Sequence, residues 1–208
     1  MINNYDNIAR HYDFLSRLIF FKSQVNAQIN QLHYIPENSS LLIVGGGTGW
    51  ILEEIAKVYS AGLNITYVEI SEKMIKLSKA RDFKNNEVDF ILLGVEDFKT
   101  EHIFDVILTP FLFDNFAKPR AEAIFKDLHQ HLKISGFWFF VDFSLSARNG
   151  KWWKAIILKS MYLFFKIMGI VEANQLIDMQ PYFTQEKYKT LEKRLYYSGF
   201  ISAIIYQK

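Results

Sequence analysis

Between residues 40 and 145, short apolar runs alternate with segments whose apolar positions recur every three or four residues. Ser40–Val44 is a short apolar run that stops at a glycine cluster, and 50–59 follows with Ile51, Ile55 and Val58 at helical spacing. The pattern predicts strand, tight turn, helix. A second β-rich run, 64–69, leads into 71–80, where Ser71 is placed to cap a helix whose apolar face carries Met74, Ile75 and Leu77. Runs 88–93 and 104–109 have strand length, 120–132 reads as a helix ended by Gly136, and 136–142 is a nearly all-apolar strand of the kind buried on both faces. After it, only 200–206 reads clearly as a strand. Such alternation predicts an α/β fold, a mostly parallel sheet covered by helices on both faces, with ligands at the carboxyl ends of its strands. The loops to watch are therefore 45–49, 69–71, 94–97, 109–114 and 142 onward.

Composition narrows the chemistry. The chain has 208 residues, half of them hydrophobic, with 10 Gly and 4 Pro, which predicts one globular domain rather than disorder. With no Cys, thiolate metal sites, disulfides and cysteine nucleophiles are excluded, and the cytoplasm is the default compartment. The net charge of +2 gives no sign of a nucleic-acid partner. His129 and His131 lie two apart on a predicted helix and so point to different faces, and no metal is expected. The most apolar stretch, 155–171, contains Lys159 and Lys166 and falls short of the ~20 apolar residues of a membrane span.

The glycine cluster Gly45-Gly46-Gly47-Thr48-Gly49 sits between the first strand and its helix. There the backbone can touch a ligand and a helix N-terminus faces it. No frame matches the dinucleotide pattern G-x-G-x-x-G, and no Lys follows as a P-loop requires. What fits is G-x-G-x-G with an acid, Glu69, closing the second strand, where a carboxylate can accept both hydroxyls of a ribose.

These residues resemble the class I S-adenosylmethionine-dependent methyltransferases, most clearly over residues 1–145. Further matches are Ser71-Glu72-Lys73-Met74, Phe104-Asp105-Val106-Ile107 and Leu132-Lys133-Ile134-Ser135-Gly136. The resemblance implies a three-layer Rossmann-like fold and S-adenosyl-L-methionine as cofactor. Gly45, Gly46, Gly47 and Gly49 would lie under its methionine part, Glu69 on the ribose, Ile70 beside the adenine, Glu96 (or Asp97) at the adenine amino group and Thr109 at the cofactor-facing end of the fourth strand. The segment Tyr5 to Asp13 reads Y-D-x-x-A-x-x-Y-D, similar to the N-terminal helix of ubiquinone and menaquinone biosynthesis methyltransferases, which implies a cover at residues 1–35 with Tyr12 near the methionine end. One departure stands out. Where the family usually has an acid two residues before the first glycine, this chain has Ile43.

The expected organisation is thus a cofactor-binding core at 40–145 and a helical lid insertion at 147–181 before the C-terminal strand. On a helical wheel Lys151, Lys154, Lys159 and Lys166 fall opposite Trp153, Ile156, Leu163, Phe164 and Ile167, giving a cationic amphipathic helix. It reads as a permanent cover, as a lid over a lipophilic acceptor, or as a helix that touches a membrane surface through 151–171. Methyl transfer from a sulfonium needs positioning more than a base, and the base candidates are Asp114, Asp142 and His11. Asp114 reads equally as a cap or surface acid. The leading reading is a methyltransferase for a small apolar or aromatic molecule. The alternatives are a non-catalytic cofactor-binding or protein-interaction domain and, lower, an RNA methyltransferase, disfavoured by Thr109-Pro110-Phe111-Leu112 after the fourth strand.

Overall fold

The computed structural model describes Asp6 and residues 20–145, 151–167 and 175–208, without the side chains of residues 151, 164, 165 and 167. Seven strands form one sheet in the order β3-β2-β1-β4-β5-β7-β6. They are β1 (Ser40–Val44), β2 (Ala61–Glu69), β3 (Asn85–Leu92), β4 (Phe104–Pro110), β5 (Leu132–Phe143), β6 (Lys189–Tyr196) and β7 (Ile201–Gln207). The first five are parallel; β7 runs antiparallel to β5, and β6 antiparallel to β7. The helices are α1 (Ser23–Ile29), α2 (Trp50–Val58), α3 (Glu72–Lys79), α4 (Lys118–His131), α5 (Lys151–Ile167) and α6 (Gln180–Gln185).

Alternation along the strands builds two cores. Leu42 and Val44 of β1, with Trp138 and Phe140 of β5, pack under α4 residues Ile124, Phe125 and Leu128, whereas Leu41, Ile43 and Phe139 pack under α2 residues Ile51, Leu52 and Ile55. The sheet is therefore sandwiched between helical layers. Its order reverses between β1 and β4, which opens a crevice at the carboxyl ends of those strands. Ser71 caps α3 as its sequence position predicts, its Oγ accepting the Met74 N–H at 3.1 Å.

Three elements differ from the sequence reading. β6 has no clear sequence signal because it is an edge strand: Lys189, Lys193, Arg194 and Leu195 are exposed, and charge on an edge guards against strand addition by another chain. β5 begins at Leu132, straight after α4, rather than at Gly136, with an irregular register between Leu132 and Phe137 and a left-handed Ser135 (φ 65°). The third difference is the orientation of α5.

Lys154 of α5 has no exposed surface and donates to the Ser198 carbonyl at 2.7 Å, while Ile156 and Leu163 are 56% and 61% exposed. The expected arrangement of four outward lysines and an inward Ile156 and Leu163 is therefore corrected. The buried face carries Lys154 and Leu158, with Trp153 half-buried against Tyr197 and Phe200 (ring centroids 5.7 and 6.0 Å). A helical wheel shows relative angles only; the carbonyl and rings on the 197–200 turn select which side faces in. Among the described residues, no helix is long and apolar enough to cross a membrane.

Candidate functional site

The turn after β1 is held by β2. The Gly45 N–H donates to the Val68 carbonyl (2.9 Å), the Gly47 N–H to Glu69 Oε2 (3.1 Å), and the Tyr67 hydroxyl to the Gly47 carbonyl (3.0 Å). Ile43, where an acid would serve, is fully buried against the α2 core, so Glu69 and Tyr67 supply the polar anchor that the first strand lacks. Gly46 lies against the Tyr67 ring so closely that a side chain there would overlap it. Glu69 itself is only 6% exposed, and its other oxygen accepts the Ser71 N–H at 3.0 Å. Burial raises its carboxyl to about 7, against the lowering effect of the backbone N–H groups, and nearby Asp6 adds to the rise. Asp6 itself accepts the Ser71 hydroxyl (2.5 Å) and the Lys73 N–H (3.1 Å), which places Asp6 at the start of α3.

Beside this turn lies a cavity of about 1090 Å³, its open mouth included, crossing the carboxyl ends of β3, β2, β1 and β4. Gly45, Gly46, Gly47, Glu69, Ile70 and Glu96 all line it, as does Thr48. Two expected residues do not. Thr109 is fully buried and its Oγ1 accepts the Trp138 indole N–H at 2.9 Å, so it joins β4 to β5 inside the core. Gly49 faces Ser78 of α3, where its missing side chain permits close helix packing rather than ligand contact. Tyr12 and His11 fall outside the described residues, and Asp97, the alternative to Glu96, is exposed and off the wall.

Several wall residues were not singled out in the sequence, although Phe111 lies in the loop 109–114 that the strand pattern marked. Gln24, Val25 and Gln28 of α1 close one side, and Phe111, Asn115 and Arg120 close another. Arg120 pairs with Glu96, its Nε donating to Oε1 at 2.7 Å, and lies 4.8 Å over the Phe116 ring. A partner 24 residues away leaves no local pattern to read. Phe111 is held at φ 51°, an uncommon conformation for a bulky residue, by its N–H on the Val141 carbonyl (2.7 Å) and its carbonyl on Asn115 Nδ2 (2.8 Å).

Against known proteins, residues 41–136 match a family model described as a methyltransferase domain. The chain carries a class I S-adenosylmethionine-dependent methyltransferase domain. Among relatives, the ubiquinone/menaquinone biosynthesis C-methyltransferase of Geotalea daltonii is 27% identical over 80% of this chain and 71% of that protein. Among solved structures, the plantazolicin methyltransferase BpumL, in complex with a monoazolic desmethylplantazolicin analogue and S-adenosylhomocysteine, is 17% identical with a TM-score of 0.65, covering 97% of this chain and 89% of that one. The 1,6-didemethyltoxoflavin-N1-methyltransferase of Burkholderia thailandensis is 12% identical with a TM-score of 0.59, over 97% and 88%. Those proteins share the fold.

In this methyltransferase two acids lie behind the wall. Asp142, at the end of β5, is 3% exposed, and Asp114, in the 3₁₀ turn Phe113–Asn115, is 9% exposed. Burial raises Asp142 to about 7; burial and then the charge of Asp142 raise Asp114 well above the carboxylate range. His129 meets the Tyr188 hydroxyl (3.0 Å) and His131 faces Asp127 (4.0 Å), so the two diverge; among the described residues no cluster could hold a metal ion.

Proposed function

We propose that the cavity holds S-adenosylmethionine with its adenine toward β3 and its methionine over β1 and β4, and that the acceptor is a small apolar or aromatic molecule. When bound, the cofactor supplies an electrophilic methyl group on a sulfonium. The Glu69 carboxylate would accept the ribose hydroxyls, Ile70 and Glu96 would border the adenine, and Gly45, Gly46 and Gly47 would leave the backbone open beneath the methionine part. Support for the fit comes from Gly47, where an added side chain would meet no atom of the described residues within 4 Å, beside a buried carboxyl whose hydrogen-bond partners among the described residues are backbone N–H groups.

Phe111 carries the reading of the acceptor. It borders the cavity on one side, and on the other its ring lies 5.0 Å from Phe143, within an aromatic cluster that includes Phe20, Phe200 and Trp153 of α5. A strained residue at the junction of a cofactor cavity and an aromatic cluster is placed to align a flat, apolar acceptor with the methyl group. Phe111→Gly removes that wall and also relieves the left-handed backbone. The expected result is a cofactor Kd within about threefold of the parent and a kcat/KM at least roughly tenfold lower, about 1.4 kcal/mol, on quinols, phenols and aromatic N-heterocycles. The assay follows S-adenosylhomocysteine formation. Turnover confined to charged peptides or RNA would overturn the acceptor class.

A second reading concerns the outer face of α5, where Trp152, Ile156 and Leu163 are 73%, 56% and 61% exposed beside Lys159 and Lys166, also exposed. An apolar stripe edged by lysines suits transient contact with an anionic bilayer from which a lipophilic acceptor could enter. Flotation with phosphatidylglycerol-containing vesicles is expected to carry the parent but not Ile156→Asp/Leu163→Asp. Equal flotation of both, or of neither, removes this contact.

A further inference from the structure

Antiparallel pairing sets Asp142 of β5 directly across from Ser202 of β7, so both side chains stand on one sheet face. Both are nine-tenths buried or more. The Asp142 carboxylate accepts the Phe143 N–H at 2.7 Å and faces the N–H groups of Phe113 and Asp114, whereas the Ser202 hydroxyl has no hydrogen-bond partner among the described residues. From α5, the buried hydroxyl of Tyr162 likewise has no partner among the described residues, and it lies within reach of the charge of both acids. Asp114 links this buried cluster to the cavity, since its Oδ1 accepts from Nδ2 of Asn115 at 2.9 Å and Asn115 is part of the wall.

A structural role accounts for Asp142, which ties the 113–115 turn to the end of β5. It does not account for a second buried acid beside two unsatisfied hydroxyls, an arrangement that packing alone disfavours and that functional sites retain. We propose that Asp142, Asp114, Tyr162 and Ser202 form a proton-accepting subsite for the polar atom of the methyl acceptor, an oxygen or nitrogen acid such as a phenol, enol or aromatic N–H. The inference rests on the acceptor reading above. The acceptor's oxygen or nitrogen bonds to the methyl carbon and takes it from sulfur, which keeps the electron pair of the broken bond. The acceptor's proton passes to the Asp142 carboxylate and leaves to solvent after the product.

The electrostatics agree with that role. Burial and the charge of Asp142 raise the Asp114 carboxyl, while Asp142, raised to about 7, is placed to take a proton near the pH at which a base works best. Among the described residues the groups facing the pair are few. The 113–115 turn and β5 contribute the two carboxyls, β7 contributes uncharged Ser202, and α5 contributes Tyr162, while Lys154 of the same helix is turned to the Ser198 carbonyl.

The test compares two phenolic acceptors of one skeleton, one neutral at pH 8 and one whose nitro substituent makes it anionic there. Asp142→Asn is expected to lower kcat on the neutral phenol at least 100-fold and to abolish the rate increase around pH 7. On the anionic phenol the loss should be under fivefold, and the cofactor Kd should stay within threefold. Equal losses on both phenols, or none, would overturn the subsite. Carbon-13 titration of the aspartate carboxyls, which needs no acceptor, should show one group titrating near pH 7; two groups titrating below 5 would overturn it as well. If the parent methylates neither phenol, the acceptor reading fails while the titration still judges the subsite. Should Asp142→Asn fail to fold, Ser202→Ala and Tyr162→Phe decide, with tenfold selective losses on the neutral phenol and no fall in melting temperature expected. Unchanged rates in both would overturn the proposal.

Discussion

Replacing Glu69 by Gln is expected to weaken S-adenosylmethionine binding about 30- to 100-fold at pH 8, roughly 2 to 2.7 kcal/mol, without unfolding the chain. Gln keeps the shape but is neutral, and one of its two positions becomes a donor facing the Gly47 or Ser71 N–H, each of which now donates to a carboxylate oxygen. The pH dependence should change as well. Burial raises the Glu69 carboxyl to about 7 in the folded chain, against about 4.3 for an unfolded glutamate. The folded state therefore holds that proton more tightly between these values. The stability contributed by Glu69 is fully present below the window and is lost as pH rises through it. Cofactor affinity runs the other way, because the ionised carboxylate is the better acceptor for ribose hydroxyls, and it should rise to a plateau above pH 7. In the Gln variant both trends attributable to this residue should vanish, so that at pH 8 it melts at or above the parent. Calorimetric titrations and melting curves from pH 5.5 to 8.5 check this, and an unchanged Kd at pH 8 would remove Glu69 from the site.

Gly49→Ala and Gly47→Ala should have opposite signatures although both glycines have positive φ, 75° and 63°. A methyl on Gly49 would sit 2.7 Å from the Cα and Cβ of Ser78, and backbone cannot yield as a flexible side chain would. With the left-handed strain added, the expected loss is about 2 to 4 kcal/mol. For a chain of this length that lowers Tm by roughly 5 to 15 °C. At Gly47 the methyl meets no atom of the described residues within 4 Å and projects from the cavity wall. Only about 1 kcal/mol of strain is expected there, while cofactor affinity should fall roughly tenfold. A Gly49→Ala protein that melts with the parent would mean that α2 and α3 do not need this close approach; a Gly47→Ala protein that binds like the parent would mean that the cofactor does not pass over this turn.

Local chemistry was enough for the first half of the site. The apolar runs of β1, β2, β4 and β5, the G-x-G-x-G turn, Glu69 at the end of β2 and the Ser71 cap are all written within a few residues of chain, because strand burial, left-handed turns and helix caps act over that distance. From these the sequence by itself determined the parallel sheet and its crevice, and the kind of ligand followed from their resemblance to the class I methyltransferases. Other features depend on who meets whom across the fold. The burial of Thr109 follows from a tryptophan one strand away, and the pairing of Glu96 with Arg120 joins a loop to a helix. The inward Lys154 is set by a carbonyl 44 residues on, and Asp142 faces Ser202 through an antiparallel register set by the β6–β7 hairpin, whose charged edge strand carries no clear apolar pattern. Only the tertiary structure decided these, since the free energy that selects them comes from burial and hydrogen bonding between distant segments, and no periodicity within one segment encodes its partner.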